Sequence, residues 1–297
     1  MCDTFYIPKK SNIYNANILC KNSDREPNEA QSILHIKRQS HKNPQQKLKL
    51  TYIEIPQVKE TYEIFISKPF QMWGVEMGVN EFGLAIGNEA VFTKFSFSKK
   101  NSGLTGMDMI RLSLERKQTA KDALEYIIEL VETYGQDACG GYENKNFYYH
   151  NSFLIVDKKE AYVLETADKF WAYKKLNDFY SISNGLTITD DFDAIHPDAI
   201  NYAKKHNWIN NEEKFNFQKA FSDKLYTYFS KCNVRRNLTK KITQKDKIHI
   251  LDCIETLQSH GDNKNKLDTM ESVCLHSGGL LTPSETTGSM ITILREK

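Results

Sequence analysis

The sequence is short of several things. It has no excess of either charge: 40 Lys and Arg against 38 Asp and Glu leave +2 over 297 residues. A near-balanced field gives no argument for nucleic acid or an anionic membrane as partner. No apolar run reaches the ~18 residues of a membrane span, and the N-terminus lacks the apolar core of a signal peptide. A soluble, cytoplasmic protein is therefore expected. Proline and glycine are sparse, 7 and 14 residues, and no Pro/Gly/Ser-rich stretch divides the chain, so one domain over residues 1–297 is expected. The six cysteines, at 2, 20, 139, 232, 253 and 274, lack the close spacings of a zinc knuckle or disulfide framework. They read as reduced thiols, with Cys20, Cys232 and Cys253 as small buried hydrophobes. His150, His276, Cys139 and Cys274 show no ligand spacing either, so no metal or other cofactor is expected. The Asn237-Leu238-Thr239 sequon reads as idle.

What is present begins at the second residue. Removing Met1 would make Cys2 the N-terminal residue, with a thiol and an α-amine on neighbouring carbons. A free α-amine has an ordinary pKa of roughly 7.7–8.0. It can take the proton of its own side chain, an alternative to pairing with histidine. Thr4, Phe5, Tyr6 and Ile7 are strong strand formers that would fix Cys2 at the head of a buried strand. Pro8 to Asn12 reads as a turn, and Ile13 to Cys20 as the returning hairpin strand, which brings the polar cluster Lys21 to Arg25 close to Cys2. A solvated turn is the alternative reading of that cluster.

Further strands are expected over residues 31–36, 50–55 and 62–66, with a mobile, lysine- and glutamine-rich loop over 38–49 that receives no function. Residues 72–91 read as two strands around an Asn80-Glu-Phe-Gly83 turn. Leu84 to Gly87 is apolar on both faces and delivers Asn88. Helices are expected over 105–117 and 120–134, the second opened by a Thr119/Asp122 capping box. Four short strands follow, over 151–156, 161–165, 170–174 and 179–182. The stretch 197–260 reads as mostly helical, with an aromatic segment over 215–229 and a second capping box at Thr243/Asp246. Strands over 272–276 and 289–294 close the chain.

Eight segments carry a resemblance: residues 1–5, 21–25, 73–91, 104–108, 150–155, 163–166, 181–184 and 274–276. In that order they resemble the secernin-like family of N-terminal nucleophile hydrolases, the C69 dipeptidases. The resemblance implies an α+β, four-layer αββα sandwich of two antiparallel sheets between helices, and cysteine-dependent hydrolysis of a dipeptide or short peptide by Cys2. More distantly the arrangement is similar to penicillin and bile-salt amidases, where an Arg and an Asp follow the nucleophile on the second strand. Lys21 and Asp24 stand at those positions. By the same resemblance Asn88 is the oxyanion donor, Asn184 orients the terminal amine or the substrate, and Arg235 or Arg236 supplies a late arginine. Lys21 or Arg25 would receive a substrate carboxylate. Relatives continue past the strand that residues 287–294 resemble, so one sheet edge is expected to be incomplete. Two other readings stay open: a non-catalytic interaction protein of regulated secretion, with a secretory partner, and hydrolysis of a non-peptide acyl-amide. Homo-oligomerisation stays open as well.

Overall fold

The structure is a computed structural model that describes residues 1–43, 46–210, 214–261, 269–278 and 282–296. Its first strand, β1 (Cys2–Ile7), is buried along its whole length and pairs antiparallel with β2 (Asn17–Arg25), Cys2 opposite Ser23. The side-chain alternation of β1 explains that burial. Tyr6, with Leu19 of β2, enters one apolar cluster, while Phe5 and Ile7, with Ile18 and Cys20, enter another on the opposite face.

The chain continues through β3 (Gln31–Ile36), β4 (Gln39–Ser40), β5 (Lys47–Lys49), β6 (Glu54–Pro56) and β7 (Glu60–Thr61), in which β4 pairs with β7 and β5 with β6. Next come β8 (Ile64–Pro69), β9 (Met77–Asn80), β10 (Ala85–Val91), α1 (Gly106–Arg116) and α2 (Ala120–Tyr134). A meander of β11 (His150–Val156), β12 (Ala161–Ala167) and β13 (Phe170–Lys175) follows, then β14 (Tyr180–Ile182) and β15 (Ala194–Ile195). The last helices are α3 (Ala199–Lys205), α4 (Phe217–Phe221), α5 (Lys224–Phe229), α6 (Cys232–Lys240) and α7 (Ile250–Leu257), before β16 (Glu285–Leu294).

These strands make a four-stranded sheet, β14-β1-β2-β16, and an eight-stranded one, β15-β13-β12-β11-β10-β9-β8-β3, with antiparallel neighbours throughout. Between them lie Tyr6 and Leu19 from one sheet and Ala85, Val91, Leu154 and Val156 from the other. On the outer face of the large sheet, Ile86, Phe153, Ile155 and Leu164 pack against Ile110, Leu114, Leu124 and Ile127 of α1 and α2. On the outer face of the small sheet, Phe5, Ile18 and Cys20 pack against Cys253 and Leu257 of α7. The result is the expected αββα order. Among the described residues no helix is long and apolar enough to cross a membrane.

Four local expectations need correction. Leu50 and Ile55 are buried, but the chain reverses between them, Leu50 N–H donating to Ile53 O at 2.9 Å, so 50–55 is the tip of the β5–β6 ribbon and not one strand. The segment expected to be a mobile loop contains β4 and β5, with residues 44–45 outside the description. The Thr243/Asp246 pattern opens no helix: residues 241–244 form a short 3-10 turn, and α7 starts later, where the Asp252 carboxylate accepts the His249 N–H at 2.8 Å. No ladder forms over 272–276, because Val273 and Cys274 both turn their N–H groups to Ser259 O. The aromatic stretch 215–229 is helical but broken at Ser222 into α4 and α5, capped by Asn216 and Asp223 respectively. The Thr119 cap and the Gly83 turn form as expected, Gly83 at φ +83°.

Candidate active site

The head of β1 opens into a cleft of about 170 Å³ lined by Cys2, Asp24, Arg25, Asn88 and Asn184, together with Met1. Side chains far apart in sequence meet there because β1 lies between β2 and β14 in one sheet while β10 stands opposite in the other. Cys2 Sγ accepts the Asp24 backbone N–H at 3.3 Å. Burial pushes the Cys2 thiol well above its ordinary range, and nearby Lys21 pulls it part of the way back. A thiol so held stays protonated at neutral pH and needs a base before it can attack.

Asn184 follows β14 and is aimed at the backbone nitrogen of Cys2. Its Oδ1 accepts from Cys2 N at 2.9 Å and from Arg235 Nη2 at 2.6 Å, while its Nδ2 donates to Ala90 O at 2.9 Å. These three bonds fix which end of the amide faces Cys2. Arg235 is fully buried; it donates to Ser183 Oγ at 2.6 Å and its Nε lies 3.1 Å from Asp3. Burial raises the Asp3 carboxyl to about 6, against the pull of Arg235. Arg235 therefore stands behind Asn184 and does not line the cleft. Arg236 turns away to Ser181 O at 2.9 Å.

Asp24 is anchored from the far end of the chain: Thr286 Oγ1 of β16 donates to its Oδ1 at 2.6 Å. Its Oδ2 is buried with no hydrogen-bond partner. Burial raises its pKa, opposed by the chain's α-amine and by Thr286. An acceptor stranded in this way beside the amine suits an ammonium group.

Lys21 does not do what a substrate-carboxylate receptor must. It is fully buried between the sheets, its Nζ 3.1 Å from Glu89 and donating to Asn88 O at 2.7 Å. Burial works against its charge, but Cys2, Glu89 and Glu76 hold the pKa above the ordinary lysine range. Glu89, which also accepts from Thr4 Oγ1, is raised by burial to about 7 despite Lys21. Arg25 does line the cleft, but its guanidinium is engaged by Glu29, by Glu76 at 3.1 Å and by Gly140 O at 2.6 Å.

Asn88 sits on β10 with its Nδ2 donating to Asn151 Oδ1 at 2.9 Å; a second contact, to Met107 Sδ at 3.8 Å, is weak. One of its two N–H groups is thus only loosely used. The sequence reading missed Glu29 and Glu76, which with Asp24 and Glu26 give the cleft four carboxylates against one guanidinium, and it missed the apolar wall of Phe92, Phe147 and Tyr149. Isolated acids and aromatics in strands and loops carry no sequence signal of a shared wall. His150 is buried, stacked 4.4 Å from Phe97, bonded to Thr93 at 2.9 Å, and depressed by burial to about 3.

Two face-packed antiparallel sheets between helical layers, with the chain's head between them, define the fold of the N-terminal nucleophile hydrolases. The chain is similar in fold to the C2A mutant of conjugated bile acid hydrolase from Clostridium perfringens, at a TM-score of 0.50 and 13% identity, covering 99% of this chain and 86% of that one. It is similar too to the Caenorhabditis elegans ortholog of N-acylethanolamine-hydrolyzing acid amidase, at 0.50 and 12% over 89% and 88%. The profile of peptidase family C69 matches residues 2–255, so the chain belongs to that family and is a hydrolase of peptide or amide bonds.

Proposed function

We propose that this chain is a cysteine peptidase that cleaves dipeptides or short peptides with a free N-terminus, using Cys2 as nucleophile once Met1 is removed. The observation that carries the reading is the position of the Cys2 nitrogen, 2.9 Å from Asn184 Oδ1, on a residue whose thiol burial keeps protonated. Freed as an amine, that nitrogen is the base the thiol needs. The amine takes the thiol proton, and the thiolate attacks the substrate carbonyl. Asn88 Nδ2 meets the developing oxyanion, an interaction typically worth about 3–4 kcal/mol. The amine then passes its proton to the leaving nitrogen, and water hydrolyses the thioester.

Substrate choice follows from the carboxylates. Asp24 Oδ2, with Glu26, Glu29 and Glu76 in the same wall, favours a substrate ammonium, whereas Arg25 is already engaged by two acids. Lys21 and Arg235 are assigned to positioning: Lys21 braces the Asn88 backbone, and Arg235 braces the Asn184 amide. The apolar wall favours a second reading, an acyl-amide substrate, which lacks the ammonium.

Intact mass and a substrate panel test the proposal. The isolated protein is expected to begin at Cys2 and to cleave dipeptides, with N-acetylation lowering kcat/KM at least tenfold. Cys2→Ala should abolish turnover with an unchanged circular dichroism spectrum. Turnover that survives Cys2→Ala would end the nucleophile assignment; a preference for the acetylated peptide would favour the acyl-amide reading.

A further inference from the structure

Beyond the cleft, three side chains with metal-ligating atoms converge where α7 meets the segment leading to β16. His260, Cys274 and His276 each offer one ligand atom, and these atoms all lie within 4.8 Å of one another. His260 Nε2 is 2.9 Å from His276 Nε2, and Cys274 Sγ is 3.8 Å from His276 Nε2. Bonds of about 2.0–2.1 Å from zinc to nitrogen and about 2.3 Å to sulfur set tetrahedral ligand atoms roughly 3.3–3.6 Å apart. Opening the His260–His276 contact by about half an ångström and closing Cys274 on His276 by about a quarter brings these two pairs to that spacing, and His276 is exposed.

The backbone already holds the ligands together. Ser259 O accepts from Val273 N at 2.9 Å and Cys274 N at 3.0 Å, and Ser272 Oγ donates to His260 O at 3.5 Å. His260 and His276 lie sixteen positions apart, which is why spacing alone does not reveal the cluster. We propose that His260, Cys274 and His276 bind one divalent ion of the zinc class, with water in the fourth position. A thiolate with two imidazoles selects zinc or its neighbours over magnesium or calcium. Binding forms one metal–sulfur and two metal–nitrogen bonds and releases to solvent the thiol proton and any proton on the ligating nitrogens.

The site would act at a distance on the cleft. Leu275, between two ligands, donates its N–H to Thr286 Oγ1 at 2.9 Å, and Thr286 Oγ1 donates to Asp24 Oδ1 at 2.6 Å. An ion clamped across residues 274 and 276 thus steadies the hydroxyl that positions Asp24.

Cobalt(II) titration of the full chain tests this, since a thiolate ligand gives a sulfur-to-cobalt charge-transfer band. One equivalent of Co²⁺ should produce the band, and Zn²⁺ should displace it. Cys274→Ser should remove it, and His276→Ala, at an exposed position, should weaken Co²⁺ binding at least tenfold with circular dichroism unchanged. Cys2→Ser should keep the band. No band, or one that survives Cys274→Ser but is lost in Cys2→Ser, would overturn the proposal and leave the pair His260–His276 as a plain imidazole hydrogen bond, stacked at 5.0 Å.

Discussion

The Lys21–Glu89 pair is buried on both sides and acts electrostatically on Cys2, with 3.1 Å from nitrogen to oxygen. Removing one member of a buried pair strands the other, at a cost of roughly 3–5 kcal/mol. Lys21→Met is therefore expected to destabilise the fold by that much at pH 8 in urea unfolding, and by less at pH 5, where the stranded carboxyl takes a proton. The wild-type pair also sets a pH dependence whose sign is determined. Glu89 is raised from 4.5 to about 7 on folding, so between those values the folded chain holds more protons than the unfolded one. Its contribution is complete below about pH 4.5 and is lost as pH rises through about 7, on the order of 3 kcal/mol. Asp3, raised to about 6, adds a slope of the same sign between about 4 and 6. Glu89→Gln should flatten the decline between pH 5 and 7; an equally steep curve in that variant would remove Glu89 as its source.

At the scale of elements, the first turn of α1 meets the candidate oxyanion donor. A Cβ on Gly106 would come within 1.9 Å of Asn151 Oδ1 and 2.8 Å of Asn88 Nδ2, contacts that real side chains do not make. Gly106→Ala should therefore displace the Asn151–Asn88 pair and lower kcat about 10²-fold or more, with a smaller change in KM. A kcat within twofold of wild type would show that Asn88 is not placed by this contact. The same element shows what a sequence can disclose. The β1–β2 hairpin, the delivery of Asn88 by an apolar strand and the Thr119 cap were legible because each is set by periodicity or by residues within a few positions. Lys21 was read as a substrate contact because a lysine in a polar cluster looks solvent-facing; its burial depends on Glu89 of the opposite sheet, which no local pattern encodes. Arg25 does line the cleft, as its cluster suggested, but its engagement by Glu76, 51 positions away, has no local signal either. The break at Ser222 and the late start of α7 follow local caps that compete with neighbouring candidates of the same kind: Asp223 opens α5, and Asp252 accepting the His249 N–H opens α7 in place of the Thr243/Asp246 pattern.

On the whole-molecule scale the two ends of the chain are stitched into one sheet. β16 pairs with β2 from Leu294 opposite Asn17 to Glu285 opposite Arg25, with an irregularity between Thr286 and Gly288. Along this ladder Ser289 Oγ donates to Asn22 at 2.7 Å and Thr286 holds Asp24. Deleting residues 285–297 should expose the β2 edge, reduce solubility and leave Cys2 with a thiol-probe reactivity clearly different from the full chain. Unchanged probe kinetics in the shortened protein would argue that β16 contributes nothing to the cleft.

The Thr286–Asp24 bond also makes the cleft sensitive to loosening far from it. Thr286 sits next to the irregularity in the β16–β2 ladder, so any fraying of that pairing releases the Asp24 carboxylate to swing. The wall beside Cys2 is then only as rigid as the outermost ladder of the small sheet.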